Sequence, residues 1–381
     1  MINYENVKAM WLSQFDMWSI YCKDGQQRPK EEFIPLVETV FDRLVDTGIN
    51  TAIIQTRPNA DSMYPSKYYT MSKYVVGAYG REANYDPLRI IIDEAHKRNI
   101  SIHAWINPLR CMTDEEIKSV SEDFAIGKWY NDKDINGKMI VQVGRNFYLD
   151  PAYEEVRNLI VAGASELLDL YDVDGLHMDD YFYPTTDESF DSFSYGKYVK
   201  EGGELSLADF RRESLDKLVS SLYSMTKSKN EKLWFGISPA GVISQVLDKH
   251  YANVVKWCSE DGFIDYICPQ VYFGIEHPTC PFMKLCDDWQ AMVTNKNVRL
   301  IIGMTLGKAY AEKDEYAKDA SDEWKNNKDV MYRCLDYARN LKLYAGVAYF
   351  CYQYFYDSVT GEEKPNTQKE REKLIPLLKS I

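Results

Sequence analysis

Two aspartates stand side by side in the stretch Asp174–Pro184, DGLHMDDYFYP, where a short apolar run gives way to Asp179 and Asp180 and then to Tyr181, Phe182 and Tyr183. Adjacent carboxylates repel, and a plain turn is more simply made from Gly, Asn or Ser. Two carboxylates held close also split their proton affinities, so that one stays protonated while the other ionises. Hydrolysis of a glycosidic bond needs such a pair: an acid on the leaving oxygen and a negative group beside the oxocarbenium-like centre. The alternative role of such residues is structural, since an Asp at a strand end also caps loop amides and helix N-termini.

The elements that must hold these residues are legible as a repeat. Eight short apolar runs recur: VKAMWLSQ (7–14), NTAIIQTRP (50–58), SIHAWINP (101–108), VDGLHMDD (173–180), LWFGISPAG (233–241), IDYICPQVYF (264–273), VRLIIGMTLG (298–307) and AGVAYFCYQ (345–353). Amphipathic stretches with helical spacing lie between them, among them EEFIPLVETVFDRLVDTG, which ends on Gly48 as a C-cap. Strand then helix, eight times over, predicts an α/β fold: a (β/α)8 TIM barrel with extended loops at its C-terminal face, one domain over residues 1–381. Runs apolar on both faces suit parallel strands buried on both sides. The long segment from Pro108 to Asp172 contains Asn136-Gly137 before alternating apolar residues and predicts a hairpin at that dipeptide.

In such a barrel the site lies where the strands end. Side chains alternate between the interior and the helix layer. Ile53, Gln55 and Arg57 share one parity in the second run; His103, Trp105 and Asn107 in the third; Gly175, His177 and Asp179 in the fourth; Cys268, Gln270 and Tyr272 in the sixth. The polar residues fall on one face near the C-terminal end each time, which predicts a lined pocket. Asp179 ends the fourth strand facing inward. Asp180 follows where the strand turns, and Asp61, in RPNADSMYPS after the second run, is a third candidate catalytic carboxylate. Asp16, after the first run, is a weaker one. Trp105, Tyr181, Tyr183 and Tyr272 offer flat faces for sugar rings. Gln55, Arg57, His103, Asn107, His177 and Gln270 offer polar groups for hydroxyls or acetamides.

Composition narrows the partners. The net charge is −13, with 58 acidic against 45 basic residues and no basic tract, which argues against nucleic acid. No run of 18 apolar residues exists, so no membrane span is expected. The eight Cys form no CxxC pair and read as reduced, mostly buried thiols. The start, MINYENVKAMWL, has no basic region before an apolar stretch, so the chain as given is expected to be cytoplasmic, or secreted or in the cell envelope if a leader has been removed. Two other readings compete with a cofactor-free glycosidase. His103, His177 and Asp179 are a possible ligand set for a metal-dependent hydrolase. A barrel that binds carbohydrate without cutting it would line its mouth in the same way.

Taken together, NTAIIQTRPNADSMYPS, YDPLRIIIDEAHKRNISIHAWINPLR, FYLDPAYEEVRNLI, DVDGLHMDDYFYP, GISPAG and IDYICPQVYF resemble the bacterial glycosyl-hydrolase-like family 10, also called DUF187, from about Trp11 to Tyr352. The resemblance implies a TIM-barrel glycoside hydrolase domain, and the leading reading is a retaining or substrate-assisted glycosidase that uses no metal or cofactor. Its implied substrate class is a bacterial polysaccharide, cell-wall glycan strands above all. The fourth run also partly resembles the chitinase pattern, but His177 and Tyr181 stand where that pattern has Asp and the catalytic Glu. Some N-acetylhexosaminidases instead use consecutive aspartates at the end of strand four, and this run is similar to them by analogy. That likeness implies that Asp179 orients the substrate's 2-acetamido group and Asp180 is the acid. The competing assignment makes Asp179 the nucleophile or base and Asp61 or Asp180 the acid.

Overall fold

A computed structural model describes residues 1–381. Eight parallel strands close into a barrel: β1 (Val7–Leu12), β2 (Thr51–Arg57), β3 (Ser101–Ile106), β4 (Gly175–Met178), β5 (Trp234–Ile237), β6 (Tyr266–Ile267), β7 (Arg299–Thr305) and β8 (Tyr344–Phe350). Each pairs with its neighbour in sequence, and β8 returns to β1 with Val7 opposite Gly346. These are the eight apolar runs. Inward residues Val7, Ala9, Trp11, Ile53, Trp105, Tyr266, Ile301 and Ala348 belong to a small core of their own inside the barrel. Outward residues such as Met10, Ala52, Ile54, Ile102 and Ala104 join the large core between strands and helices. Both faces are therefore dry, which is why the runs lack a polar alternation.

The helix layer follows the amphipathic stretches. A helix over Lys30–Thr47 ends on Gly48, whose φ of 87° places it in the left-handed region a C-cap glycine favours. The helix Pro87–Lys97 starts on Asp86, whose side chain accepts from the Leu88 and Arg89 amides, with Pro at its first position. Longer helices span Glu154–Leu170 and Leu207–Lys229. All eight cysteines are free thiols. No helix is long and apolar enough to cross a membrane.

Two local expectations are corrected. The excursion after β3 does carry a hairpin, but its turn is Gly144-Arg145, between Ile140–Val143 and Asn146–Leu149, with Gly144 at φ 62°. Asn136-Gly137 instead closes a turn before that hairpin, the Gly137 amide donating to Ile140 O. A third strand, Arg110–Thr113, completes a small antiparallel sheet beside the barrel mouth. The second correction concerns Arg57. β2 is bulged at Thr56: Gln55 pairs with Trp105, but Arg57 pairs with Ile106, an outward position. The extra residue takes Arg57 off the face of Ile53 and Gln55. Its guanidinium donates to Asn107 O, Pro108 O and the Tyr69 hydroxyl instead.

Candidate active site

A cavity of about 260 Å³ opens at the C-terminal ends of the strands. Of the residues singled out by sequence, Gln55, Trp105, Asp179, Asp180, Tyr181, Gln270 and Tyr272 line it together. Trp11, Ser13, Gln14, Phe15, Arg110, Ser238 and Phe350 complete the lining and were not singled out. For Trp11 the signal was present, since it shares the inward parity of Val7 and Ala9. Arg110 reaches the cavity because its small sheet folds back over the mouth, where its guanidinium lies 4.4 Å from the centre of the Tyr181 ring. No periodicity announces that contact.

Asp179 is held by a directed chain of hydrogen bonds. The Gln14 backbone amide donates to Gln55 Oε1 at 2.8 Å. That fixes the Gln55 amide, whose Nε2 donates to Asn107 Oδ1 at 2.6 Å. Asn107 Nδ2 must then donate to Asp179 Oδ2, at 2.5 Å, and Trp105 Nε1 donates to the same oxygen at 3.0 Å. The Tyr181 amide donates to the other oxygen, Oδ1, at 3.2 Å. Asn107 thus stands one layer behind the cavity wall.

Burial, and after it the neighbouring Asp180, push the Asp179 carboxyl well above the ordinary carboxylate range; Arg110 and the donors pull it back. Asp180 is raised as well, first by burial, with Gln270, His250 and Arg110 acting against it. Two raised carboxyls in one cavity hold a proton between them near neutrality. Three N–H donors on Asp179 act against that rise, and burial together with Asp180 outweighs them.

The remaining candidates lie elsewhere. His103 and His177 form a polar column below the cavity with Tyr266 between them. Asn3, whose amide nitrogen donates to Asp174 O and Lys232 O, accepts from His103 Nε2 at 3.2 Å. Tyr266 Oη therefore donates to His103 Nδ1 at 2.9 Å and accepts from His177 Nδ1 at 2.8 Å. Ser238 Oγ, at 2.8 Å, and Trp11 Nε1, at 3.4 Å, donate to His177 Nε2. Burial lowers His103 to about 4 and His177 well below its usual value, so both are neutral. Every ring nitrogen that a metal would take is already bonded, and no three His, Cys, Asp or Glu side chains converge on one point. Asp61 is fully buried beside β2, accepting from the Asn59 amide and the Tyr79 hydroxyl, and does not border the cavity. Asp16 is buried in a capping box with Ser13 and accepts the Gln353 amide. Tyr183 packs against Arg211, which pairs with Asp191 at 2.6 Å, and lines an adjoining cleft rather than this cavity.

Residues 6–320 match the model of a family described as glycosyl hydrolase-like 10. The chain is similar to glycosyl hydrolase YngK of Bacillus subtilis, with 33% identity over 323 residues, 79% of this chain and 61% of that protein. It is also similar to glycosyl hydrolase DigH of Escherichia coli K12, with 32% identity over 70% of this chain and 64% of the relative. The chain thus spans about three fifths of the length of these curated relatives. In fold it is similar to the glycoside hydrolase domain of PgaB (BpsB) from Bordetella bronchiseptica, with a TM-score of 0.59, 13% identity and coverage of 97% of this chain and 99% of that one. The catalytic domain of β-amylase from Paenibacillus polymyxa gives a TM-score of 0.58 at 9% identity, covering 99% of this chain and 100% of that one.

Proposed function

The chain belongs to the glycosyl hydrolase-like 10 family, and from that premise and the cavity's geometry we propose that it hydrolyses glycosidic bonds of an N-acetylated bacterial glycan, such as peptide-free cell-wall strands. The observation that carries this reading is the Asp179–Asp180 pair at the end of β4. One member is fixed by Trp105 Nε1 and Asn107 Nδ2, its neighbour faces the same cavity, and in the reactive form the proton that the pair shares sits on Asp180. Asp179 accepts the acetamido N–H of the bound sugar and aims the amide oxygen at the anomeric carbon. Asp180 gives its proton to the leaving oxygen as that bond breaks. The amide oxygen–carbon bond forms in its place, and the resulting oxazolinium ring carries the positive charge that Asp179 faces. Water, deprotonated by the Asp180 carboxylate, then opens the ring and restores both groups. Trp105, Tyr181 and Tyr272 supply faces for the ring, and Gln55 and Gln270 supply amides for its polar groups.

Product analysis by mass spectrometry tests this. Wild type, Asp179→Asn and Asp180→Asn are incubated with peptide-free peptidoglycan strands, chitooligosaccharides and neutral glucans. The expected result is cleavage of an N-acetylated glycan by wild type, reduced about 10²–10⁴-fold in each variant, the size of a lost acid–base group. Asp180→Asn keeps the first step on an aryl N-acetylhexosaminide, whose leaving group needs no proton, and is slowed in opening the ring, where the Asp180 base is missing. Cleavage of neutral glucans alone would sink the acetamido mechanism. Binding without cleavage, unchanged in Asp179→Asn, would make the barrel a carbohydrate-binding module.

A further inference from the structure

A second cleft, about 480 Å³, adjoins the cavity and shares Asp180 and Tyr181 with it. Asp180 thus stands on the border between two spaces. On the reading just given, Asp179 holds the sugar whose anomeric carbon reacts, and that sugar fills the first cavity. The acid reaches the leaving oxygen, so the departing sugar must occupy the space beyond Asp180.

That space has its own chemistry. Besides Asp180, Lys249 is its charged side chain. Lys249 is exposed and has no carboxylate partner, unlike Lys256 on the same excursion, which pairs with Asp216 at 3.2 Å. The place of Lys249 matters more than its lack of a partner: it puts a positive charge on the wall of a cleft that opens onto Asp180. Beside it His250 also lines the cleft, and its Nδ1 is buried with no hydrogen-bond partner. Thr185 and Tyr148 add hydroxyls to the same walls.

We propose that this cleft is the leaving-group subsite and takes a sugar bearing a carboxylate, which pairs with Lys249. This rests on the glycosidase reading and adds a direction to it. In a strand whose sugars alternate between a neutral N-acetylhexosamine and one carrying a carboxylate ether, only one of the two linkages then fits. The neutral sugar is left at the new reducing end, and the carboxylated sugar starts the released piece.

The test uses peptide-free peptidoglycan strands and the same strands with their carboxylates converted to amides by carbodiimide and ammonia. Products are reduced with borohydride and sized by mass spectrometry. The expected new reducing end is the neutral sugar, and free strands are cut about fivefold faster than amidated ones, the size of one exposed ion pair. Lys249→Gln, at an exposed position that does not bear on folding, brings that ratio close to one. A carboxylated sugar at the new reducing end overturns the inference, as does equal cutting of both strands by wild type. Affinities of Asp180→Asn for the two strands are measured in parallel. If no strand is cut, the glycosidase reading fails. Tighter binding of the free strand, lost when Lys249→Gln is added, still supports the carboxylate site, and equal binding removes it.

Discussion

Asp179 and Asp180 differ by what surrounds them rather than by what they are. The first receives three N–H donors from Trp105, Asn107 and the Tyr181 amide. The second borders two open spaces. A negative Asp179 raises its neighbour, because like charges in one cavity disfavour double ionisation. If Asp180 is the acid, activity is lost as pH rises through the pair's upper apparent pKa. Asp179→Asn removes the repulsion, so the alkaline limb of its residual kcat/KM moves to lower pH. An unmoved limb would show that the two groups do not share a proton. Asn107→Leu keeps the volume but removes a donor to Asp179 and the acceptor for Gln55. It is expected to lower kcat/KM by about 10²-fold through misplacement and to cost about 1–3 kcal/mol of stability in unpaired groups. Asp179 also becomes harder to ionise there, so the acid limb of the profile moves up. A loss of stability with an unmoved limb would mean that Asn107 only packs.

At the scale of elements, β5 illustrates how closely the barrel interior is fitted. A Cβ on Gly236 would lie 2.0 Å from the Tyr266 ring, so this glycine makes the room in which Tyr266 links the two histidines. Gly236→Ala is expected to destabilise the fold by about 1–3 kcal/mol in urea unfolding, as overpacking does. A change below about 0.5 kcal/mol, the scale of a neutral surface substitution, would mean that Tyr266 can step aside. The strands were legible in the sequence because parallel strands buried on both faces appear as unbroken apolar runs. The inward parity that brings Gln55, Trp105 and Gln270 to the cavity was legible for the same reason. Arg57 was not, because one extra residue in β2 reverses its face and leaves no trace in the residue pattern. Asp61 illustrates the other limit: a loop Asp just past a strand looks the same whether it faces the mouth or folds under it. Phe350 closes the cavity from a strand end with no polar signature, and Ser238 adds a single small hydroxyl just after β5.

The whole molecule carries buried titratable groups of two opposing kinds, and their balance sets how stability follows pH. Burial lowers His103 to about 4 and depresses His177, so their stabilising effect is complete above the unfolded value near 6.5 and is lost as pH falls below it. Burial raises Asp150 and Glu370, each to about 7, with Asp179 raised in the same sense. For these the folded state prefers the proton. Their contribution is complete below the unfolded carboxylate value near 4 and is lost as pH rises through 7. His96, raised by its hydrogen bond to Asp174, acts in the same direction. Between about pH 4.5 and 6.5 the two sets oppose each other. Above 6.5 the unfolded histidines are already neutral, so only the losses remain. Thermal melting is therefore expected to show a nearly level Tm from pH 5 to 6.5 and a clear fall by pH 8. A Tm that climbs steadily across that span would refute this balance. Glu370 isolates one contributor, since it sits on the helix Gln368–Ser380 and accepts the Val330 and Met331 amides of the neighbouring helix. Glu370→Gln removes the titration but puts an NH2 where one oxygen accepted an amide, so it should lose about 1–3 kcal/mol against wild type at pH 4 and regain up to about 3 kcal/mol of that difference by pH 8.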